Sequence, residues 1–341
     1  MKKIWSAVTV VLLLAVSAGV IAYGSSVSER KIDTSGTQTY AWPLATCSTE
    51  ETITHVFAQT FAEEVGRLSD GKMEIQVYPQ STLGGDRELM ESCKDGDIPF
   101  VVQSPAPQVS FMPELCVFDT PCVFDDIEEA RAVIDNPEFL SIIQGIYADA
   151  GYQILGMADQ CFRVMTSSEP FTGMESFKGQ KIRTMENTYH IQFWNAMGGN
   201  PTPMTFSEVY IGLQQGTIDA QENAYELIVS AKLYEQQKVL VKTNAVPDYI
   251  TLIVSDDFFQ DLDEEQQQIV REAAAIAQEK ARESADVRRQ QREEELAAEG
   301  MEIVDIDQET WKEMQEACQP VYDNIRKQAG DELVDLYMGA E

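Results

Sequence analysis

The sequence predicts an α/β protein of two lobes with a cleft between them, and two stretches carry that expectation. Between Tyr40 and Gln103, alternating or apolar runs of strand length trade places with runs of helical period, in the order β-α-β-α-β. Such an order builds a parallel sheet with helices on its faces. Between Lys181 and Asn223, short strands again alternate with helix-start signals, this time crowded around a single arginine, Arg183. Two such bodies joined by several passages of the chain leave a cleft and a hinge.

Taken in order, Tyr40 to Thr46 reads as a strand and Ile53 to Leu68 as an amphipathic helix ended by Asp70-Gly71. Met73 to Tyr78 alternates and stops at Pro79, as a strand should. Leu83-Gly84-Gly85 leads into a helix over Asp86 to Lys94, and Ile98 to Gln103 forms the third strand. Ligands of such sheets sit beyond the carboxyl ends of the strands. The loops at Thr46-Cys47, Leu83 to Asp86 and Gln103-Ser104 are therefore expected to face the site. The first lobe is expected over 39–124 with a return over about 243–262. The second is expected over 125–242, including Tyr152 to Met157 and Cys161 to Thr166.

Within the second lobe, Lys181 to Met185 reads as a strand, Thr188 as the cap of the helix that carries Trp194, and Asn200 to Met204 as the next strand. Thr205 and Glu208 have capping-box spacing, which predicts a helix over Ser207 to Gln215 with Gly216 just past its end. Asn223 opens a third helix. Asp263 with Gln266 starts a long helix over 263–299, whose many charges read as a solvated face. The segment 300–341 is expected to pack on the lobes.

A guanidinium flanked by helix N-termini is a receptor for a carboxylate, because a rigid fork of donors meets backbone N–H groups and the positive ends of dipoles. The segment around Arg183 is therefore expected to bind a small organic anion. The formal charge of −32 argues against nucleic acid and anionic membrane surfaces as partners. It also repels an anionic substrate, but screening over about 8 Å at physiological salt confines that repulsion. One or two buried arginines can still decide local affinity. With 44% hydrophobic residues, nothing suggests disorder.

Met1-Lys2-Lys3 followed by an apolar run from Ile4 to about Tyr23 is the layout of a signal peptide over 1–25, with a polar segment over 26–38 after it. The alternative is an uncleaved anchor, since about twenty apolar residues can span a bilayer. Either way the protein is expected to work outside the cytoplasmic membrane. The six cysteines match no zinc spacing and read mostly as buried thiols with at most one or two bridges.

The runs KIR, GGNPTPMTFSEVY and LQQGTIDAQEN, with LGGDRELMESCKDGDI upstream, resemble the substrate-binding proteins of tripartite ATP-independent periplasmic (TRAP) transporters of the dicarboxylate-binding (DctP) type. The likeness covers nearly all of the chain from about Tyr40. It implies a two-lobed periplasmic-binding-protein fold with a ligand cleft between the lobes and a long helix crossing both. It also implies an extracytoplasmic solute receptor that captures an organic acid and delivers it to the small and large membrane subunits of a TRAP permease. A periplasmic sensor that presents the bound acid to a membrane receptor would use the same binding residues. A monomer without cofactor or metal is expected.

Arg183 sits inside a half-buried strand, where an unpaired cation is costly, so it either pairs with a protein carboxylate or waits for a ligand. The resemblance implies that it clamps the substrate carboxylate. Arg163 reads as a surface strand arginine from its surroundings and as a second ligand contact from the resemblance. Asn223 can cap a helix and bond a ligand. Phe206 can stack on a carbon skeleton or pack in the core. Glu186, beside Asn187, would orient Arg183 or accept from a hydroxyl, because its charge would repel a carboxylate. In the first lobe, Gln103 and Asp86 lie at loop positions where relatives present polar groups, and Cys47 stands where some relatives are polar. Tyr249, Tyr210 and Trp194 are aromatic wall candidates, with core packing favoured for Trp194. These neutral and acidic first-lobe groups suit hydroxyls, so a sugar acid is expected over a C4-dicarboxylate.

Catalysis finds little material. His55 and His190 are the only histidines, and no phosphate-cradling G-x-x-x-x-G-K-[ST] loop is present. An exported enzyme is a distant alternative.

Overall fold

The computed structural model describes residues 40–339. The signal peptide expected over 1–25 and the polar segment expected over 26–38 lie outside the described residues. The first strands and helices run β1 (Tyr40–Ala45), α1 (Ile53–Leu68), β2 (Met73–Tyr78), α2 (Asp86–Lys94) and β3 (Phe100–Gln103). Thr52 caps α1 by accepting from the His55 N–H. The buried face of α1, Ile53, Phe57, Phe61 and Val65, follows the 3.6-residue period read from sequence. Two 3₁₀ segments, Ala106–Ser110 and Pro113–Asp119, lead to α3 (Ile127–Ile134), α4 (Pro137–Asp149) and the long β4 (Tyr152–Phe162).

The second group is β5 (Val164–Ser167), β6 (Lys181–Thr184), α5 (Thr188–Ala196), β7 (Asn200–Pro203), α6 (Val209–Gln214), β8 (Ala220–Asn223), α7 (Tyr225–Ser230) and β9 (Val239–Lys242). The chain then returns as β10 (Pro247–Ser255), α8 (Asp256–Asp261) and α9 (Glu264–Ala298). It closes with β11 (Glu302–Asp305), α10 (Gln308–Ala317), α11 (Gln319–Ala329) and α12 (Asp331–Met338).

Two sheets result. The first has the order β2-β1-β3-β10-β4 and the second β11-β9-β5-β8-β6-β7. β1 pairs in parallel with β2 and β3, as the β-α-β-α-β order requires. The sheet is mixed, however, because β10 runs antiparallel to both β3 and β4. The expected lobe boundary at Asp125 also moves. α3, α4 and β4 bury Ile127, Ile134, Phe139, Ile143 and Tyr152 in the same cluster as Leu89, Val101 and Ile253. The first lobe thus extends to Phe162, and the chain crosses at Arg163, the residue between β4 and β5. It recrosses between β9 and β10. Local periodicity identifies a helix or a strand but not the sheet it joins, and that choice was made by apolar surface far away in sequence.

Three helix starts differ in detail. Asn187, not Thr188, caps α5, with its Oδ1 accepting from the N–H groups of Tyr189 and His190. Thr205 and Glu208 meet side chain to side chain at 3.1 Å rather than capping the backbone. A 3₁₀ turn over Phe206–Glu208 then precedes the short α6, and Gly216 follows with φ +68°. Asn223 ends β8, and Ala224 is the cap of α7.

Asp263 and Gln266 form a reciprocal capping box at the start of the 35-residue α9. Its alanines 273, 274, 277, 281 and 285 pack on the first lobe with Phe57 and Ala158, whereas Leu296 packs on the second with Val164, Ile228 and Leu240. The helix therefore covers both lobes. Close approach needs Gly156 on β4, where a Cβ would meet Gln278 Oε1 at 3.1 Å and Phe57 at 3.2 Å. The C-terminal helices also serve both lobes. Met314 and Cys318 pack with Ile182 and Trp194, while Ile325, Leu333 and Tyr337 pack with Phe118 and Phe139. No helix among the described residues is long and apolar enough to cross a membrane, and all six cysteines are free thiols.

Candidate functional site

The strand ends of the two lobes meet around a small cavity of about 50 Å³. From the first lobe come Cys47 after β1, Asp86 at the start of α2, Gln103 at the end of β3 and Gln160 in β4. From the second come Arg183 in β6, Phe206 and Asn223. Arg163 and Asp248, at the two crossings, form part of the wall.

Arg183 is 2% exposed. Its Nε and Nη2 donate to the Met204 carbonyl at 3.0 and 2.7 Å, but its buried Nη1 has no protein acceptor. No carboxylate among the described residues forms an ion pair with it. Burial therefore pushes its pKa down to about 10, with attraction from Glu222 and repulsion from Arg163 as smaller opposing influences. The guanidinium stays charged at neutral pH, held by backbone and without a carboxylate paired to it among the described residues.

Arg163 is neither a surface residue nor idle. It is 3% exposed. Its Nε donates to Glu222, Nη1 to Asp248 Oδ1 at 2.6 Å, and Nη2 to the Glu222 carbonyl, Glu222 Oε1 and Asn223 Oδ1 at 2.9, 3.1 and 3.0 Å. Of five guanidinium N–H groups, this leaves one Nη1–H unassigned. Burial lowers its pKa, but Glu222 and Asp248 outweigh burial and raise it. Asn223 is locked between Arg163 and Gln221 Oε1, to which its Nδ2 donates at 2.7 Å.

Behind Arg163, Glu222 also meets His190 Nδ1 at 3.3 Å, and His190 Nε2 meets Asp119 Oδ1 at 3.0 Å. Asn187 ties the same Asp119 to α5 by donating to its Oδ2 at 2.7 Å. Burial alone would lower the His190 pKa, but Glu222 and Asp119 raise it to about 9. Burial likewise opposes ionisation of Glu222, yet Arg163 and His190 draw its pKa down to about 2. A charged chain thus runs from the 3₁₀ segment of the first lobe through α5 and β8 of the second to the crossing at Arg163.

In the first lobe, both amide atoms of Gln103 and the Oε1 of Gln160 are buried without partners, while Gln160 Nε2 donates to Asp248 at 3.1 Å. The Asp86 side chain is only half covered at its own surface but lies within the cavity walls. Burial raises its pKa, against hydrogen bonding from Cys47 and attraction from Arg183. Cys47 is half-buried, with its thiol toward the Gly84 carbonyl at 3.6 Å.

Several expected contacts lie elsewhere. Tyr249 packs in the first-lobe core against Phe118, with its hydroxyl donating to the Ala130 carbonyl at 3.4 Å. Its neighbours Asp248 and Ile250 line the cavity instead, since successive strand residues face opposite sides. Glu186 is exposed and outside the wall, acting on Arg183 and Asp86 only through its charge. Tyr210 bonds Glu235, and Trp194 is core. Glu222, Asp248, Gln160 and His190 were missed. A polar residue inside an otherwise apolar run, as in VPDYITLIV or GMADQCF, was the available signal.

Comparison with known proteins gives this cavity a context. Residues 44–328 match the family described as bacterial extracellular solute-binding protein, family 7. The chain belongs to this family. Its members are periplasmic receptors that bind small organic acids and deliver them to a TRAP permease, and they are not enzymes. This receptor is 35% identical over 244 residues to the ectoine-binding periplasmic protein TeaA of Halomonas elongata, covering 69% of each chain. Among solved structures it resembles the sugar acid-binding protein of Advenella mimigardefordensis in complex with galactonate, with a TM-score of 0.85, 26% identity and coverage of 89% and 98%. It also resembles a TRAP solute-binding protein of Sulfurospirillum deleyianum with bound succinate, with a TM-score of 0.84, 27% identity and coverage of 89% and 100%.

Proposed function

We propose that this receptor binds a sugar acid through one carboxylate held on Arg183, with Gln103, Gln160 and Asp86 meeting its hydroxyls. The observation that carries the reading is the buried Nη1 of Arg183, a charged donor without a protein acceptor in a residue of the cavity wall. A carboxylate there gains charge-assisted hydrogen bonds of about 1.5 to 3 kcal/mol each. Phe206, half-buried, offers an apolar face to the carbon skeleton, and the remaining Nδ2–H of Asn223 offers a further donor.

Among the described residues a second carboxylate meets no free cation in this cavity, because Arg163 is already neutralised by Glu222 and Asp248. Facing Asp86, it would meet like charge and desolvation costs of several kcal/mol. Hydroxyls find unpaired amide groups there instead. Succinate is therefore disfavoured although two similar solved structures hold it, and galactonate is the better guide. Asp86 also supports a second reading, a zwitterion with its cationic end on that carboxylate, for which ectoine binding by TeaA is the precedent.

Calorimetry with galactonate, galacturonate, succinate and ectoine separates the three. The expected result is micromolar or tighter binding of a sugar acid. Binding of succinate alone overturns the preference, and binding of ectoine alone establishes the zwitterion. Cleavage of the leader over 1–25 would free the receptor for this work. N-terminal sequencing of the exported protein checks it, and an intact Met1 would mean an anchored form.

A further inference from the structure

We propose that Cys122 and Cys318 are the redox pair of this protein and are joined as a disulfide when it folds under oxidising conditions. Cys318 lies at the joint between α10 and α11. One turn before it, Gln315 Nε2 donates to the Cys122 carbonyl at 3.0 Å, and one turn after it, the Tyr322 hydroxyl donates to the Pro121 carbonyl at 2.8 Å. These bonds bracket Cys318 and hold it beside Cys122, and both cysteines lie in one buried cluster. Cys47, Cys93 and Cys116 turn instead toward the carbonyls of Gly84, Pro99 and Ile325.

The pair has a structural consequence. Cys122 is held with φ +56° and donates its N–H to the Ala245 carbonyl at 2.6 Å, on the return crossing between the lobes. A bond to Cys318 would tie the C-terminal helices covalently to that crossing. It would also close a loop of nearly two hundred residues, the kind of long loop whose closure most restricts the unfolded chain.

The oxidant is an external disulfide, of the class that exported proteins meet. The thiolate of one cysteine attacks a sulfur of that disulfide, forming a mixed disulfide and expelling the other sulfur as a thiolate. The second cysteine, as a thiolate, attacks the protein sulfur of the mixed disulfide. The 122–318 bond forms, and the oxidant leaves as a dithiol carrying both electrons and both protons. The two thiols are 2% and 0% exposed, and burial together with the contact raises the Cys122 thiol well above its ordinary value. Exchange is therefore slow in the closed core. The bond forms during folding and is then shielded from reductant.

The test uses the whole chain recovered from the periplasm, and the same chain refolded in mixed oxidised and reduced glutathione. Each sample is alkylated in denaturant and mapped by mass spectrometry without reduction. The expected result is four alkylated thiols rather than six, and one linked peptide pair containing Cys122 and Cys318. Reduction in denaturant should restore six. The oxidised form should melt several degrees above the reduced form, and Cys122→Ala and Cys318→Ala should each abolish that difference. Ligand affinity should not change between redox forms, because neither cysteine lines the cleft. Six alkylated thiols in the refolded sample, or a linkage between other cysteines, overturns the proposal, and the mapping decides it even where a variant fails to fold.

Discussion

Arg163 and Arg183 lie twenty residues apart, line the same cavity and are almost equally buried, yet the chain treats them in opposite ways. Arg163 is enclosed by Glu222, Asp248 and Asn223. Arg183 has one backbone carbonyl and a vacant donor. The first is part of the scaffold, since a buried ion pair with its hydrogen bonds complete needs nothing further. The second leaves desolvation of a cation uncompensated, which is tolerated where a ligand supplies the missing charge. Residue type and burial alone do not identify a binding arginine. The proposed reading rests instead on the presence or absence of a paired protein carboxylate.

The largest expected effect comes from removing a partner on the scaffold side. Glu222→Ala leaves Arg163 and His190 short of a carboxylate in the interior. A broken buried pair costs about 3 to 5 kcal/mol, so urea denaturation should show a loss of that order. A loss below about 1 kcal/mol would mean that water enters and the network is not structural.

On the ligand side, Arg183→Lys should weaken binding tenfold or more, because an ammonium cannot reproduce the planar fork. Stability without ligand should stay unchanged or rise, since an uncompensated buried charge has been altered. Calorimetry and thermal melting of the same variant check both halves. An affinity within about threefold of wild type, less than 1 kcal/mol, removes Arg183 from the site. A large fall in melting temperature of the unliganded variant would mean that it, too, is scaffold.

The scaffold should also respond to pH in a way that Arg183, the proposed ligand arginine, does not. His190 is raised from 6.5 to about 9, so its stabilisation is fully present below pH 6.5 and is lost as pH rises through 9. Glu222 is lowered from 4.5 to about 2, so its contribution is present above pH 4.5 and is lost as pH falls toward 2. Denaturation midpoints should fall between pH 6.5 and 9.5 in the wild type and change much less in His190→Gln. An equal alkaline fall in both proteins would assign the titration elsewhere.

The smallest effects concern hydroxyl recognition. Gln103→Leu should cost roughly 1 kcal/mol with a hydroxylated acid and little with an acid lacking hydroxyls. Tyr249→Phe should leave affinity unchanged because that ring is core. Isotherms for the two variants against two ligands sharpen the comparison at its polar end, and a larger effect from Tyr249 would return that residue to the wall.

Local signals were legible in the sequence for most elements whose decisive partners are near in the chain, although the caps of α5, α6 and α7 differ from those the spacing predicts. The period of α1, the alternation of β2, the capping box of α9 and the placement of Arg183 on a short strand all depend on residues a few positions apart. Sequence patterns therefore determined the element types, the two-lobed α/β class and, through the KIR and PTPMTFSEVY runs, the family. Tertiary structure decided what depends on distant meetings. β4 joins the first sheet because β10, nearly a hundred residues later, pairs with it. Tyr249 is core because strand parity at the bulge turns Asp248 and Ile250 to the cavity. Arg163 is neutralised by carboxylates 59 and 85 residues away. Charge in a low-dielectric interior is governed by which atoms lie within a few ångströms in space, and spacing along the chain does not encode that distance.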